Sequence, residues 1–406
     1  MSEPPSASLE EQSPAPPNQP AGKPRLGGLG PIYLTVFVDV LALTLVFPLL
    51  PYYAASFGAT PFQIGALLAT FSVCQLISSP WLGRLSDRFG RKPVLIASQA
   101  GTLAGLLMMA AAPNLWWLFA GRILDGFTAG NLTIAQAAIT DATLPKDRTR
   151  AYGFFGIAFG VGFLIGPAFS GWLAARYGFH APPLCAALLS LTSIVLTAIL
   201  FPSHAPPSAQ PRASLGEALR RVLSQPAARR SVLEMFAYVL SFSMLTGGLA
   251  LFLRARLAFD VDQVGYAFAF SGFVGALAQG GIGRLAKRLG ERRLSAGGII
   301  FMALGYLLLA RVHDVPSLGL ALAVGGLGSA VVRPALTTLL TNAVSESERG
   351  LALGVSQSAS SLGQSMGPVI AGALIGAGAL STWALVAAAF ACLVLVVRWL
   401  FSGTSV

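Results

Sequence analysis

The chain has 406 residues, of which 54% are hydrophobic and 11% are charged, and its formal net charge is +11. A water-soluble protein contains roughly 25% charged residues, because water must solvate its surface. The composition therefore excludes an ordinary soluble enzyme or binding domain and indicates helices that cross a lipid bilayer. In such a protein a positive charge reflects arginines in the loops, so we expect no nucleic-acid partner.

The first 29 residues are rich in proline, serine and glutamine and lack the regions of a signal peptide, so we expect residues 1–29 to be a disordered cytoplasmic tail. No charged residue occurs from Val40 to Gly83, which predicts two membrane spans with a turn near residues 57–61, since one span needs about 20 residues. Residues 350–397 predict a second such pair. Eight further spans are predicted at residues 93–112, 115–140, 151–174, 181–201, 231–254, 262–283, 294–311 and 316–342.

The twelve predicted spans repeat as two sets of six. Residues 83–92 read GRLSDRFGRK and residues 283–292 read GRLAKRLGER, and a second block recurs at nearly the same offset. Two blocks in the same order indicate a duplicated six-span unit, with both copies in the same orientation because six is even. The members of the second block are Arg148, Gly153, Gly162, Gly166, Pro167 and Gly171, which recur as Arg349, Gly354, Gly363, Gly367, Pro368 and Gly372.

We therefore expect an all-α membrane protein in which two six-helix bundles surround a central cavity. The bundles are assigned to residues 30–201 and 231–401, with a cytoplasmic linker at residues 202–230 and a short tail at residues 402–406. A short basic helix is predicted within the linker, near residues 215–222.

The basic residues predict the orientation in the membrane. Of the 27 lysines and arginines, 21 fall on the side that holds both termini, four fall on the other side, and Arg122 and Arg333 lie within spans. Loops rich in lysine and arginine stay on the cytoplasmic side. Both termini are therefore expected to be cytoplasmic, in a cell (inner) membrane.

The loop after the second predicted span contains the clearest motif. Gly83 and Gly90 permit a tight reversal between helices. The acid Asp87 stands among cations, which suggests a specific partner such as an arginine or a helix amino terminus. A basic loop with an incidental acid is the alternative, and the weak copy at residues 283–292 favours a shared structural role. The cations are Arg84, Arg88, Arg91 and Lys92.

The fifth predicted span carries glycines around one proline. Gly162, Gly166 and Gly171 predict a flat helix surface that another helix can approach closely. Pro167 removes a backbone donor and predicts a bend or weak point. Such a surface would let two helices pack tightly at one end and part at the other. Ordinary packing of small residues is the alternative.

Charged residues within spans are the next signal, because each uncompensated charge costs at least a few kcal/mol. By the rise of a helix, Asp39 and Arg122 lie at similar depths, so contact across the cavity is feasible. Asp39 either binds and releases a proton or forms a permanent pair with Arg122 that only fixes packing. Asp125 lies three residues from Arg122 and could merely neutralise it. Arg333 also has two interpretations. It could contact an anionic substrate group, or it could form a buried structural pair.

Together these motifs resemble those of the major facilitator superfamily over residues 30–401. Within that superfamily the chain is most similar to the drug:proton antiporters of the tetracycline efflux branch. The residues that carry the resemblance are Asp39 with Pro48 and Pro51, PWLGRLSDRFGRKPV at residues 80–94, Gly121-Arg122 with Gly126, and GFLIGPAFSG at residues 162–171.

The resemblance implies a secondary transporter that exports lipophilic, drug-like or tetracycline-like compounds in exchange for protons by alternating access. It implies a proton gradient as the energy source and no cofactor. Asp39 and Arg122 fall at positions associated with proton coupling, and residues 162–171 fall at a motif associated with antiport. The expected partners are protons, a small lipophilic substrate and the lipid bilayer, and the protein is expected to act as a monomer.

The resemblance also implies a gate at the cytoplasmic side. Asp87 should cap the amino terminus of span 11 near residues 350–351, and Arg91 should pair with Asp141 at the end of span 4. Both contacts should close the cytoplasmic side in the outward-facing state and break in the inward-facing state. Lys287 replaces the acid in the second copy, so the equivalent contact is expected to be absent or altered there.

Two other functional classes compete with export. A major facilitator that takes up another solute, such as a sugar or an organic anion, shares the predicted fold. The acid in span 1 and the motif in span 5 favour antiport over that class. A receptor, scaffold or enzyme is disfavoured, because no span contains paired catalytic carboxylates, a nucleophile with a base, or a metal cluster. One departure from tetracycline efflux proteins is the lack of a histidine within the spans of the second half, since His180, His204 and His313 fall at span ends or in loops.

Overall fold

The computed structural model describes residues 29–143, 148–201, 215–345 and 348–400. The predicted tails, apart from Leu29, and residues 202–214 of the predicted linker lie outside the described residues. Leu29 belongs to the predicted tail but is buried at the start of the first helix.

The described residues form fifteen α-helices and no strand, which confirms the all-α fold. They are α1 Gly30–Val46, α2 Leu50–Ser56, α3 Pro61–Phe89, α4 Arg91–Ala110, α5 Leu115–Phe127, α6 Asn131–Ala142, α7 Arg148–Tyr177, α8 Ala181–Leu200, α9 Leu215–Leu223, α10 Pro226–Leu257, α11 Val261–Leu289, α12 Glu291–Leu309, α13 Val315–Asn342, α14 Arg349–Gly376 and α15 Leu380–Leu400.

Within the described residues, ten segments are long and apolar enough to cross a membrane, if α1 and α2 count as one. Two more polar segments complete the pattern. One is α5 with α6, which are short helices in line, and the other is α14, which contains five serines and two glutamines. These segments are consistent with the twelve predicted spans, and α9 is the short basic helix predicted in the linker.

Two spans that the sequence predicts as continuous are broken in their middle. Span 1 breaks between α1 and α2, where Pro48 and Pro51 each lack a backbone donor. Span 4 breaks between α5 and α6, at residues 128–130. There the hydroxyl of Ser98 on α4 donates to the carbonyl of Thr128 and accepts the Gly130 N–H at 2.9 Å. A neighbouring side chain thus supplies hydrogen bonds to the broken backbone.

The turns repeat between the two halves. Gly90 and Gly290 both have a positive φ, of 94° and 73°, between successive spans. Gly58 has a φ of 77°, and the position 200 residues later is Ala258, with a φ of 55°. Each half therefore turns at the same points with the same backbone conformation, as expected of a duplicated unit. Further pairs with the same local structure are the capping boxes at Thr60 and Asp260, the N-caps Asn114 and Asp314, and the turns at Gly178 and Gly378.

The halves pack together at the end of the molecule that holds the Thr60 and Asp260 turns, which we call the sealed end. A Cβ atom added to Gly65 of α3 would overlap the carbonyl of Pro368 on α14. A Cβ atom added to Gly265 of α11 would overlap the carbonyl of Pro167 on α7 in the same way. These close approaches need glycine, because no side chain fits between the helices.

The other end, which holds the Gly90 and Gly290 turns, we call the basic end. Around Gly280 and Gly283 of α11, and around Gly350 of α14, an added Cβ atom would meet nothing within 4 Å. Trp81 near the end of α3 is 62% exposed. At these positions the described residues therefore lack the close contacts between halves that the sealed end makes at Gly65 and Gly265.

Candidate functional site

Asp39 lies inside the amino-terminal half, among helices α1, α4, α6 and α8. Its carboxylate accepts a hydrogen bond from Gln99 Nε2 at 3.3 Å. Ser193 and Asn131 lie within hydrogen-bonding reach of the same carboxylate. Gln99 also donates to Ser193 Oγ at 2.8 Å. We call these four residues the Asp39 cluster; within the described part of the chain, Asp39 forms no ion pair.

The Asp39 cluster contains more acceptors than donors. Gln99 Oε1 and Asn131 Oδ1 are buried and have no hydrogen-bond partner among the described residues. Buried polar atoms are normally satisfied, so these two oxygens mark an unusual environment. A proton on Asp39 would add a donor to a cluster in which two acceptors lack one.

The break in span 4 positions one member of this cluster. Asn131 is the first residue of α6, directly after the turn that Ser98 stabilises. Three members of the cluster, Gln99, Asn131 and Ser193, were not predicted as site residues. The available signal was the presence of amide side chains at Gln99 and Asn131 within long apolar stretches.

Arg122 pairs with Asp125 on the same helix. Arg122 Nη1 lies 3.2 Å from Asp125 Oδ2, and the two residues are only 3% and 6% exposed. The guanidinium lies over the Phe71 ring, 4.3 Å from its centroid, and Thr102 of α4 lies within reach of Asp125. Asp39 and Arg122 lie at similar depths in the membrane, but they do not form the contact that this permits. The guanidinium of Arg122 instead pairs with Asp125, one turn away on the same helix.

Helix α4 connects the Asp39 cluster to the Arg122–Asp125 pair. Gln99 and Thr102 are three residues apart, so they share a helix face and are about 4.5 Å apart along the axis. Gln99 reaches Asp39, and Thr102 reaches Asp125. Asp39 and the Arg122–Asp125 pair therefore both lie beside the same face of α4.

Arg91 is the centre of the motif at the basic end. Its Nε lies 2.9 Å from Asp141 Oδ2, which confirms the predicted pair. Its Nη1 lies 2.5 Å from Asp87 Oδ1 and 2.7 Å from Ser86 Oγ. All four residues belong to the amino-terminal half, so these bonds alone cannot hold the two halves together. The expected break of the Arg91–Asp141 pair in the inward-facing state stays a prediction.

The predicted cap of α14 by Asp87 stays a prediction. One carboxylate oxygen of Asp87 pairs with Arg91, and a Cβ atom added to Gly350 at the start of α14 would meet none of the described residues within 4 Å. Among the other motif residues, Gly83 is buried and its carbonyl accepts from Ser86, while Arg88 is exposed and stacks on Phe89.

The carboxy-terminal half uses a different ion pair. Glu234 of α10 accepts two hydrogen bonds from Arg398 of α15, at 3.1 and 2.6 Å, and is only 2% exposed. Arg398 also donates to the Arg292 carbonyl at 2.8 Å, at the start of α12. Lys287 is exposed. The expected loss or change of the contact at the second copy stays a prediction. The signal that could have predicted the Glu234–Arg398 pair is the single acid Glu234 inside a predicted span.

The glycines of α7 face two helices and not the single one that the sequence suggested. Gly162 and Gly166 face Val40 and Thr44 of α1, within the same half. Gly171 and Pro167 face α11 of the other half. Helix α7 stays helical through Pro167, which leaves the Phe163 carbonyl without its usual helical donor. That carbonyl lies against Gly272 of α11.

An apolar cavity of about 390 Å³ lies where α3 and α5 meet α14. Apart from Thr70, the side chains that line it are hydrophobic, as is usual for sites that bind lipophilic molecules. It lies near Phe71, the ring that covers the Arg122 guanidinium. The lining residues are Ala66, Ala69, Thr70, Val73, Cys74, Ile123, Phe127 and Val369.

Known proteins share both the sequence and the fold. The family model of the Major Facilitator Superfamily matches residues 32–253 and 233–405. The class C tetracycline resistance protein of Escherichia coli is 34% identical over 86% of this chain and 89% of its own length. Solute carrier family 67 member A1 of Homo sapiens is 31% identical over 95% of this chain and 96% of its own length.

Among solved structures, the human organic anion transporter MFSD10 (TETRAN) superposes with a TM-score of 0.70 at 24% identity, over 90% of this chain and 97% of that one. A POT family transporter in complex with a thioalcohol-conjugated peptide superposes with a TM-score of 0.79 at 12% identity, over 93% and 96% of the two chains. At these identities the superpositions show the fold alone. Together with the family model and the relatives, they show a multi-pass membrane transporter, and the chain belongs to the major facilitator superfamily, in which it is similar to tetracycline resistance proteins.

Proposed function

We propose that this protein exports small lipophilic compounds in exchange for protons by alternating access. The observation that carries the proposal is the state of Asp39, a carboxylate within a membrane span that has no cation partner among the described residues. An unpaired charge there costs a few kcal/mol, and a proton removes that cost. Similarity to tetracycline resistance proteins supports export as the direction.

The proton site and the moving parts are connected in the proposed cycle. Protonation of Asp39 changes the hydrogen bonds of Gln99, and α4 carries this change to Asp125 beside Arg122. The halves would then rock about the glycine–proline contacts of the sealed end, so that this end opens as the basic end closes. The apolar cavity between α3, α5 and α14 would hold the hydrophobic part of the substrate.

The membrane orientation follows from the loops. The basic end would face the cytoplasm of a cell, in the inner membrane, with both termini on that side. The described conformation would then be inward-facing and ready to load substrate from the cytoplasm. The proton gradient would drive the cycle in a monomer, without a cofactor.

Proton release from the purified protein tests the proposal. We expect addition of tetracycline or tetraphenylphosphonium to release protons from the wild type and not from Asp39→Asn. The exposed Glu217→Gln on α9 serves as the control and should release protons as the wild type does. Release that survives in Asp39→Asn would move the coupling site to Asp125. A wild type that releases no protons with either compound would favour uptake or facilitated transport of another solute.

A further inference from the structure

Five charged side chains of the described residues lie at least seven residues inside a membrane-crossing segment. Three of them are in ion pairs: Arg122 with Asp125, and Glu234 with Arg398 at the end of α15. The remaining two are Asp39 in the amino-terminal half and Arg333 in the carboxy-terminal half. Arg333 forms no ion pair with any residue that the structure describes, and it is exposed.

The helix face that carries Arg333 is directed toward the interior of the protein. One turn before it on α13, the Ser329 carbonyl accepts a hydrogen bond from Tyr238 of α10 at 3.2 Å. Two turns before it, a Cβ atom added to Gly326 would meet Val274 of α11 at 3.4 Å. Arg333 continues this face, between the contacts with α10 and α11, toward the basic end.

The lipid-facing side of α13 lies elsewhere. Leu320 and Leu327 are 56% and 42% exposed and mark that side. At about 100° per residue, Arg333 lies roughly 120–140° around the helix from both leucines. Arg333 is therefore exposed on the interior side of α13 and not on its lipid-facing side.

Among the described residues of the same half, no acid pairs with Arg333. Glu234 is one turn from Tyr238 on α10, but it is buried and both of its oxygens bind Arg398. The depth of Arg333 is also informative: it lies nine residues from the basic end of α13, about 14 Å by the helical rise. Asp39 lies nine residues from the start of α1, so the two unpaired charges are at the same depth in opposite halves.

We propose that Arg333 is a specificity-determining residue that binds the anionic group of a lipophilic substrate, such as a carboxylate. A guanidinium presents a planar pair of donors that matches a carboxylate with two hydrogen bonds. A bound anion would supply the countercharge that the protein lacks at this position. The inference rests on the proposed function for the transport cycle, whereas the binding step itself needs no proton gradient.

Two fluorescent probes with the same apolar body test the proposal. 1-Pyrenebutyrate carries a carboxylate, and 1-pyrenebutanol is its neutral counterpart. In equilibrium titrations of the purified full chain, we expect the wild type to bind the butyrate at least about tenfold more tightly than the butanol. Arg333→Gln should remove this preference and leave butanol binding unchanged. Arg333→Lys should keep part of the preference, because it keeps the charge but loses the planar donor pair.

The matched control is Arg293→Gln, an exposed arginine in the first turn of α12, which should change neither affinity. Equal affinity of the wild type for both probes would overturn the proposal. An equal loss of both affinities in Arg333→Gln would also overturn it, since that result indicates a structural role. The titrations use no proton gradient, so a preference for the butyrate without substrate-induced proton release would contradict the proposed export and leave this inference intact.

Discussion

Gly265 of α11 lies directly against the carbonyl oxygen of Pro167 on α7, at the sealed end of the molecule. The duplicated counterparts, Gly65 and Pro368, make the same contact between α3 and α14. Each half thus supplies one glycine and one proline to a seal that is built twice. Because no side chain fits at either position, the packing of the sealed end depends on the absence of a Cβ methyl group at both Gly65 and Gly265.

Substitution of Gly265 by alanine should destabilise the sealed end. Overpacking costs about 1–3 kcal/mol, which shifts the conformational equilibrium roughly five- to 150-fold toward states open at that end. We expect distances between spin labels at Arg84→Cys and Arg284→Cys, on the basic end, to shorten in this variant. The control is Gly281→Ala on the same helix, where the added methyl group meets nothing within 4 Å. Unchanged distances in Gly265→Ala would contradict the prediction.

The buried pair of Glu234 and Arg398 should matter for stability. Glu234→Gln leaves a buried guanidinium without its countercharge, at a cost of about 3–5 kcal/mol. The double variant Glu234→Leu with Arg398→Met should recover most of that loss, because replacement of both charges by apolar groups is often neutral. Thermal unfolding in detergent measures both effects. The control is the exposed Glu217→Gln, which should change stability by less than about 1 kcal/mol. If Glu234→Gln and Glu217→Gln lose similar stability, burial does not have the expected effect.

The predicted cap of α14 can be detected by a cross-link. Cysteines at Asp87 and Gly350 should form a disulfide only when the basic end closes, since the bond requires Cα atoms about 4.4–6.8 Å apart. We expect the cross-linked fraction to rise when Gly265→Ala is added. The exposed Cys392 would first be replaced by alanine.

A pair at Asp87 and Gly378, at opposite ends of the molecule, serves as the negative control for that cross-link. If the Asp87–Gly350 pair fails to react even in the Gly265→Ala background, Asp87 does not approach α14 in the closed state. The acid would then act only through Arg91, within the amino-terminal half.

The hydroxyl of Ser98 should support the break in span 4. Ser98→Ala leaves the Gly130 N–H without its side-chain acceptor, which costs about 1–3 kcal/mol for a buried group. Because the next residue, Asn131, belongs to the Asp39 cluster, we also expect slower transport in proteoliposomes. Thr192→Ala is the control, since its exposed hydroxyl only bonds within its own helix. Wild-type stability and transport in Ser98→Ala would show that the break needs no support from α4.

Helix positions follow from features that the sequence contains directly. Charge-free stretches predict the spans, and the duplicated block predicts that Gly90 and Gly290 occupy equivalent turns, as they do. The partners of the charged residues are harder to predict, because they depend on how each helix is rotated about its axis. Asp39 faces Gln99 inside its own bundle, although its depth alone equally permits contact with Arg122.

The break in span 4 was missed for a different reason. Gly126 and Gly130 occur within an apolar stretch, and glycines are common in membrane helices, where packing and not chain reversal usually explains them. The equivalent span of the second half, α13, is continuous. The break is stabilised by Ser98, a side chain from another helix. The local sequence around the break contains no sign of that contact.

The unpaired charge of Arg333 also connects the protein to the voltage across its membrane. One elementary charge that crosses the whole bilayer at 100 mV changes in energy by about 2.3 kcal/mol. In the proposed cycle this guanidinium would move through a part of that electric field, and among the described residues no acid pairs with it to cancel the effect. The resting potential would then act on the conformational equilibrium itself and favour the state in which Arg333 is nearer the negative side. An anion bound to Arg333 would neutralise its charge and remove this response. The protein with bound substrate and the empty protein would then differ in their sensitivity to voltage.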